Sequence, residues 1–145
     1  FGIEDQGWVA WFIIAHQLGR GLTVYGDGKQ VRDILCVGDL LDAFDRAASR
    51  IGRVRGQVFN IGGGPANTVS LLDFLKLLGI ISGRKPRFRF APARPGDQKI
   101  YVSDVALAGR ELGWRPQTKI ADGVGKLYGW VSENIEEIRK VLKKT

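Results

Sequence analysis

Two arginines stand where the chain could hold an anion. Arg32 follows the turn Tyr25-Gly26-Asp27-Gly28, and Arg94 opens the turn Arg94-Pro95-Gly96-Asp97. Each guanidinium offers a planar fork of N–H donors that matches phosphate oxygens. Two of them, on separate loops, could grip a diphosphate from both sides. Either one alone also fits a surface ion pair. The other reactive side chains point to less. His16 is the single histidine, so no second imidazole is present to share a metal or a triad. Cys36 is the single cysteine; it excludes an internal disulfide and a Cys-rich zinc site. Lying between Leu35 and Val37, it reads as a small buried apolar residue. The triplet Gly62-Gly63-Gly64 runs into Pro65 and lacks the spacing of a dinucleotide-binding loop.

The elements that must position these residues can be read from periodicity. Trp8 to Ala15 is apolar nearly all round, which predicts a helix buried on most sides and ended by Gly19. Leu22 to Tyr25 predicts a short strand running into Gly26-Asp27-Gly28. Ile34 to Val37 predicts a second strand, covered on both faces. Asp39 then reads as an N-cap, with Asp42 in the first turn and apolar residues at 40, 41, 44, 47, 48 and 51 in helical spacing. Val58 to Ile61 predicts a third strand, stopped by the glycine triplet. Ser70 is expected to cap a helix carrying Leu71, Leu72, Phe74, Leu75 and Leu78. Arg87 to Phe90 alternates as a half-buried strand does, and Ser103 is expected to cap a short helix ending near Gly113. A single final helix is expected from Ala121, with Val124, Leu127, Tyr128, Val131, Ile135, Ile138 and Leu142 on its apolar side.

Alternating strands and helices make the class α/β, but the strands are too few for a complete doubly wound sheet. The buried-looking segments 34–37 and 58–61 call for neighbours that this chain does not supply. The 145 residues are one domain by size, 44% hydrophobic and 26% charged, as in soluble globular proteins. No apolar run reaches the roughly 20 residues of a membrane span. The start Phe1-Gly2-Ile3-Glu4-Asp5 does not resemble a signal peptide, and cytoplasmic residence is expected. The absence of methionine means either a removed initiator or an excised segment. A formal charge of +7 suits nucleic acid, an anionic membrane or a phosphorylated small molecule. The cations are spread along the chain, clustering only at Arg84-Lys85-Pro86-Arg87 and Lys143-Lys144, as on a solvated surface. Neither nucleic acid nor a membrane is expected as a partner.

Taken together, the motifs resemble those of the NAD-dependent nucleotide-sugar epimerases and dehydratases, in the extended short-chain dehydrogenase class. The resemblance rests on Leu22 to Ala43, with Tyr25-Gly26-Asp27-Gly28, Gln30, Arg32-Asp33, Val37 and Asp39-Leu40. It continues through Asn60-Ile61-Gly62-Gly63-Gly64, Arg94-Pro95-Gly96-Asp97 and Leu112-Gly113-Trp114-Arg115-Pro116, in the family's order and over almost the whole chain. Gly2 to Phe12 and Gly62 to Thr68 look like its CDP-paratose 2-epimerase branch.

The resemblance implies that this is the C-terminal, substrate-binding part of such an enzyme. It places residues 1–31 and 66–145 in the substrate-binding region, with 32–65 completing the sheet of the cofactor domain. Arg32 and Arg94 match the residues that hold the nucleotide diphosphate, and Asp97 matches a carboxylate near the ribose or sugar. Thr23, Val24 and Tyr25 match the strand beside the base, and Gly7 and Trp8 the start of the helix bordering the nucleotide. Asp33 and Asp39 are read as structural, accepting from backbone donors at a strand end and a helix start. The family's aromatic before Arg94 is replaced by Ala93. The complete enzyme would bind a nucleotide-diphosphate sugar, CDP-linked by preference, and use NAD to oxidise, invert and re-reduce one sugar carbon. The segment alone is expected to bind no cofactor and to turn over nothing, because the resemblance places the family's catalytic tyrosine and lysine upstream of it. Its expected partners are its own N-terminal Rossmann domain and further copies of itself. A related 4-epimerase, dehydratase or reductase, or a non-catalytic nucleotide-binding module, remains the alternative.

Overall fold

The computed structural model describes residues 7–142. Helix α1 (Trp8–Gln17) is followed by strand β1 (Leu22–Tyr25) and strand β2 (Val31–Asp33). Helix α2 (Val37–Ser49), the single turn α3 (Ile51–Val54) and a 3₁₀ turn (Pro65–Asn67) lead to β3 (Thr68–Ser70). Then come α4 (Leu71–Ser82), β4 (Phe88–Ala91), β5 (Ile100–Tyr101), α5 (Ala106–Leu112), α6 (Ile120–Glu133) and α7 (Ile135–Leu142). The chain is α/β, and its two small sheets do not amount to a complete Rossmann domain. β1 pairs with β4 in parallel, and β2 lies between antiparallel β3 and parallel β5.

Two compact units are built from interleaved segments. Unit 1 takes the chain up to Lys29, Leu71–Asp97, and everything from Val124; unit 2 takes Gln30–Ser70 and Gln98–Gly123.

In unit 1, α1 buries Phe12 to His16, as its all-round apolar sequence requires. The chain leaves it through Gly19, at φ +71°. β1 alternates as a pleated strand must: Leu22 and Val24 point into the core, Thr23 and Tyr25 away from it. Phe74, Leu75 and Leu78 of α4 are also buried, as are Val124, Val131 and Ile138 of α6 and α7. Gln17 ties α1 to α6, its Nε2 donating to the Tyr128 carbonyl and to Ser132 Oγ at 2.8 Å each. The turn after β1 needs glycine at position 28 for two reasons. Its φ is +74°, and a Cβ there would lie 2.8 Å from Leu72 Cγ, beside the Leu72 N–H that donates to the Gly28 carbonyl.

In unit 2, Trp114 and Leu112 pack with Ala108, Ala43 and Val54, flanked by Leu35, Phe59 and Ile61. The Trp114 indole N–H donates to the Asp39 carbonyl at 2.8 Å, so its one polar atom is satisfied in the core. On α2 the apolar stripe is wider than this core, and Val37, Leu41 and Phe44 remain 69%, 56% and 59% exposed.

Several sequence expectations are corrected. Residues 34–36 and 58–61 are irregular, and the strand of that region lies earlier, at Val31–Asp33. Both segments do put apolar side chains against the core, but neither has a ladder partner among the described residues. Val58 is 85% exposed. α2 starts at Val37, with Cys36 as its N-cap, which puts Asp39 inside the first turn. Ser103 is buried away from the start of α5, where Asp104 Oδ1 accepts the Ala106 N–H at 2.9 Å. Ser70, by contrast, stands where expected, directly before Leu71 at the start of α4. The final helix is two, α6 and α7, meeting at Asn134. Phe88 and Phe90, expected on a buried face, are exposed and pack edge-on against each other at 5.6 Å.

Candidate functional site

Unit 1 gathers most of the residues singled out in the sequence: Gly7, Trp8, Thr23, Val24, Tyr25, Arg94 and Asp97. The loop after β4 is shaped by its own sequence. Pro95 presets the second position of a tight turn, Gly96 supplies φ +77° at the third, and the Asp97 N–H donates to the Arg94 carbonyl at 3.2 Å. The parallel register sets Ala91 beside Tyr25, and the Gly26 N–H donates to the Ala91 carbonyl at 2.9 Å. From there Arg94 reaches over the Tyr25 ring, with Cζ 3.8 Å from the ring centroid. Such a cation–π contact is worth about 0.5–1 kcal/mol at an exposed site. It holds the Arg94 guanidinium over the Tyr25 ring, and a guanidinium stacked on an aromatic face is a common way of presenting N–H donors to oxyanions.

The other unit 1 positions play different parts. Val24 is fully buried and offers a ligand only its backbone. Thr23 is half-buried on the same face of β1 as Tyr25. Trp8 is the outermost ring of an aromatic cluster, 4.9 Å from Phe74 and 5.7 Å from Phe12, both edge-on. Gly7, at φ 70°, forms the N-terminus of α1 without a capping side chain. Residues 1–6, which contribute to the branch resemblance, lie outside the described residues.

Arg32 is in unit 2, on β2 between Val69 and Tyr101, and its Nη1 donates to the Val31 carbonyl at 2.9 Å. The two neighbouring carboxylates are structural, as read from the sequence. Asp33 Oδ2 accepts the N–H groups of Gly64 at 2.9 Å and Ser103 at 3.2 Å. Asp39 Oδ2 accepts the Thr118 N–H at 2.9 Å. The glycine triplet is occupied with packing. A Cβ at Gly62 would collide with Ser103, and one at Gly63 with the backbone of Ile34. With the Gly64 N–H engaged as well, this loop does not fit the pyrophosphate of a dinucleotide, which needs open backbone donors at a helix start.

His16 donates to or accepts from Ser82 Oγ at 2.8 Å. Burial, and then the charge of Arg84, hold its pKa below the ordinary 6.5. No group of three or more metal-ligating side chains occurs among the described residues. No helix among them is long and apolar enough to cross a membrane. Sequence reasoning passed over Arg110 and took Arg115 only as part of a family motif; the two share a cleft in unit 2 with Gly64, Gly109 and Pro116. The available signal was the turn at Gly113, φ +62°, which folds the chain back between them.

The profile of the GDP-mannose 4,6 dehydratase family matches residues 8–127. CDP-paratose 2-epimerase of Salmonella typhi is 37% identical over 137 residues, covering 91% of this chain and 40% of that protein. dTDP-glucose 4,6-dehydratase of Xanthomonas campestris pv. campestris is 32% identical over 139 residues, 90% of this chain and 39% of that one. Among solved structures, the UDP-glucuronic acid 4-epimerase of Bacillus cereus, in complex with UDP-glucuronic acid and NAD, superposes with a TM-score of 0.78 at 28% identity. It covers 86% of this chain and 40% of its own. The chain thus spans about two fifths of the length of the proteins it matches.

Proposed function

Because the chain belongs to the GDP-mannose 4,6 dehydratase family, we propose that it recognises the nucleotide diphosphate and sugar of an NAD-dependent nucleotide-sugar epimerase acting on a CDP-linked sugar. The observation that carries this reading is the Arg94–Tyr25 stack, formed by the two unit 1 residues expected at the phosphate and at the base. Arg94 supplies charge-assisted donors to a phosphate, and the Tyr25 ring supports its guanidinium from one side. The ring face under the guanidinium is covered, so the base stacks elsewhere on this pair or lies along Thr23. Asp97, held one turn away from Arg94, serves as an acceptor for ribose or sugar hydroxyls. Gly7 and Trp8 border the nucleotide. Arg32 is assigned the second phosphate contact on the family resemblance.

The preference for CDP draws support from the identity to CDP-paratose 2-epimerase. NAD chemistry belongs to the complete, cytoplasmic enzyme, whose hydride transfer needs a cofactor and a general base from its Rossmann domain. Residues 32–65 complete that domain's sheet, and residues 1–31 and 66–145 form the substrate-binding region.

Calorimetric titration of the chain with CDP, UDP, dTDP and NAD in one moderate-salt buffer tests this. CDP binding above the others, with none of NAD, is expected. Preference for UDP would move the substrate to the class seen with the Bacillus cereus epimerase. Tight NAD binding would overturn the division of labour.

A further inference from the structure

Unit 2 contains a cleft of about 420 Å³, within the range of about 300–1,000 Å³ typical of small-molecule sites. It is lined by Gly64, Val105, Gly109 and Pro116, together with Arg110 and Arg115. Apolar walls with a few converging polar groups are the usual make-up of a ligand site.

Two observations set it apart from an ordinary surface groove. The first is the state of the arginines. Both are exposed, and neither guanidinium takes part in a hydrogen bond or ion pair among the described residues. The acids near them in sequence are engaged elsewhere: Glu111 pairs with Arg53 at 3.1 Å, and Asp104 accepts the Ala106 N–H. Arg46, in the same unit, shows the contrast, since it is bound to Asp42 and to the Gly113 carbonyl. The second is Gly109, inside α5. Glycine in a helix interior costs about 1 kcal/mol relative to alanine, yet nothing crowds this one. A Cβ would meet only the Trp114 carbonyl oxygen at 3.7 Å and Arg115 Nε at 4.0 Å, ordinary contacts. The missing side chain serves no packing need and leaves the cleft open.

We propose that this cleft binds a small organic phosphate, with the phosphate between Arg110 and Arg115 and the carbon skeleton against Val105 and Pro116. Paired guanidinium forks suit a dianionic phosphate, and the apolar lining favours an ester over the bare ion. The cleft lies wholly in unit 2 and takes nothing from the Arg94–Tyr25 stack.

Amide NMR of the 145-residue chain, titrated with phenyl phosphate and with inorganic phosphate, tests it. Phenyl phosphate should give saturable shifts at Gly64, Gly109 and Arg110, with inorganic phosphate at least tenfold weaker. The double variant Arg110→Ala/Arg115→Ala should weaken phenyl phosphate binding at least tenfold. Gly109→Leu, which fills the cleft, should abolish it, and the same spectra report whether either variant is folded. Shifts that survive the double arginine variant, equal binding of inorganic phosphate, shifts confined to Tyr25 and Arg94, or no saturation at millimolar phenyl phosphate would each overturn the proposal.

Discussion

Arg94 and Tyr25 lie far apart in sequence and stack because β1 and β4 run in parallel register beneath them. Removing Arg94 takes away charged hydrogen bonds worth about 1.5–3 kcal/mol. Arg94→Ala should therefore weaken CDP binding about ten- to hundredfold by calorimetry, in the chain or in the complete enzyme. Tyr25→Leu keeps bulk but loses the aromatic face, and about two- to fivefold is expected. His16 carries a pH dependence. Its pKa is depressed in the fold, so the unfolded chain takes up the proton more readily. The stability that goes with neutral His16 is complete above about pH 6.5 and declines as the pH falls below that value toward the folded pKa. Urea midpoints at pH 7.5 and 5.5 should diverge in the wild type and converge in His16→Gln. At this scale the sequence was informative that Asp33 and Asp39 bond backbone donors, although the donors are those of Gly64, Ser103 and Thr118, from distant loops, and not the neighbouring strand end and helix start. It was silent on the Arg94–Tyr25 stack, which follows from strand pairing that no local pattern encodes.

Elements were legible where burial has a period. α1 and β1 follow from an all-round apolar run and from strict alternation, and α4 from its leucines. Residues 34–36 and 58–61 show the limit. An apolar run reports that side chains will be covered, as Leu35, Phe59 and Ile61 are, and not that a neighbouring strand will be there to take up the backbone. What organises this region instead is Asp33, whose single oxygen joins the Gly64 and Ser103 amides, from two distant loops, to the end of β2. Asp33→Ala would orphan both donors, at about 1–3 kcal/mol for a buried one. We expect a loss of about 2 kcal/mol by urea unfolding, with Asp33→Asn losing less because its amide oxygen still accepts.

The molecule as a whole carries an unmatched surface. Val37, Leu41 and Phe44 share one face of α2, four and three residues apart, and Ile51 beyond them is 61% exposed. Exposed apolar patches of this kind mark contact surfaces. The sequence anticipated such a surface, although it placed it on strands. Light scattering of the chain should show mass rising with concentration, and the double variant Leu41→Glu/Phe44→Glu should restore the monomer mass. A wild-type monomer at every concentration would remove this expectation.

The interleaving of the two units also bears on biosynthesis. A chain leaves the ribosome from its N-terminus, and domains commonly fold as soon as they have emerged. Neither unit can do so here. Unit 2 waits for Trp114 and Thr118 to reach Asp39, and unit 1 waits longer, for the helices after Val124. Until then the apolar surface of α1 is bare in the nascent chain. The segments from Gln98 onward close both halves, so the interval before they emerge is when this chain most needs a chaperone.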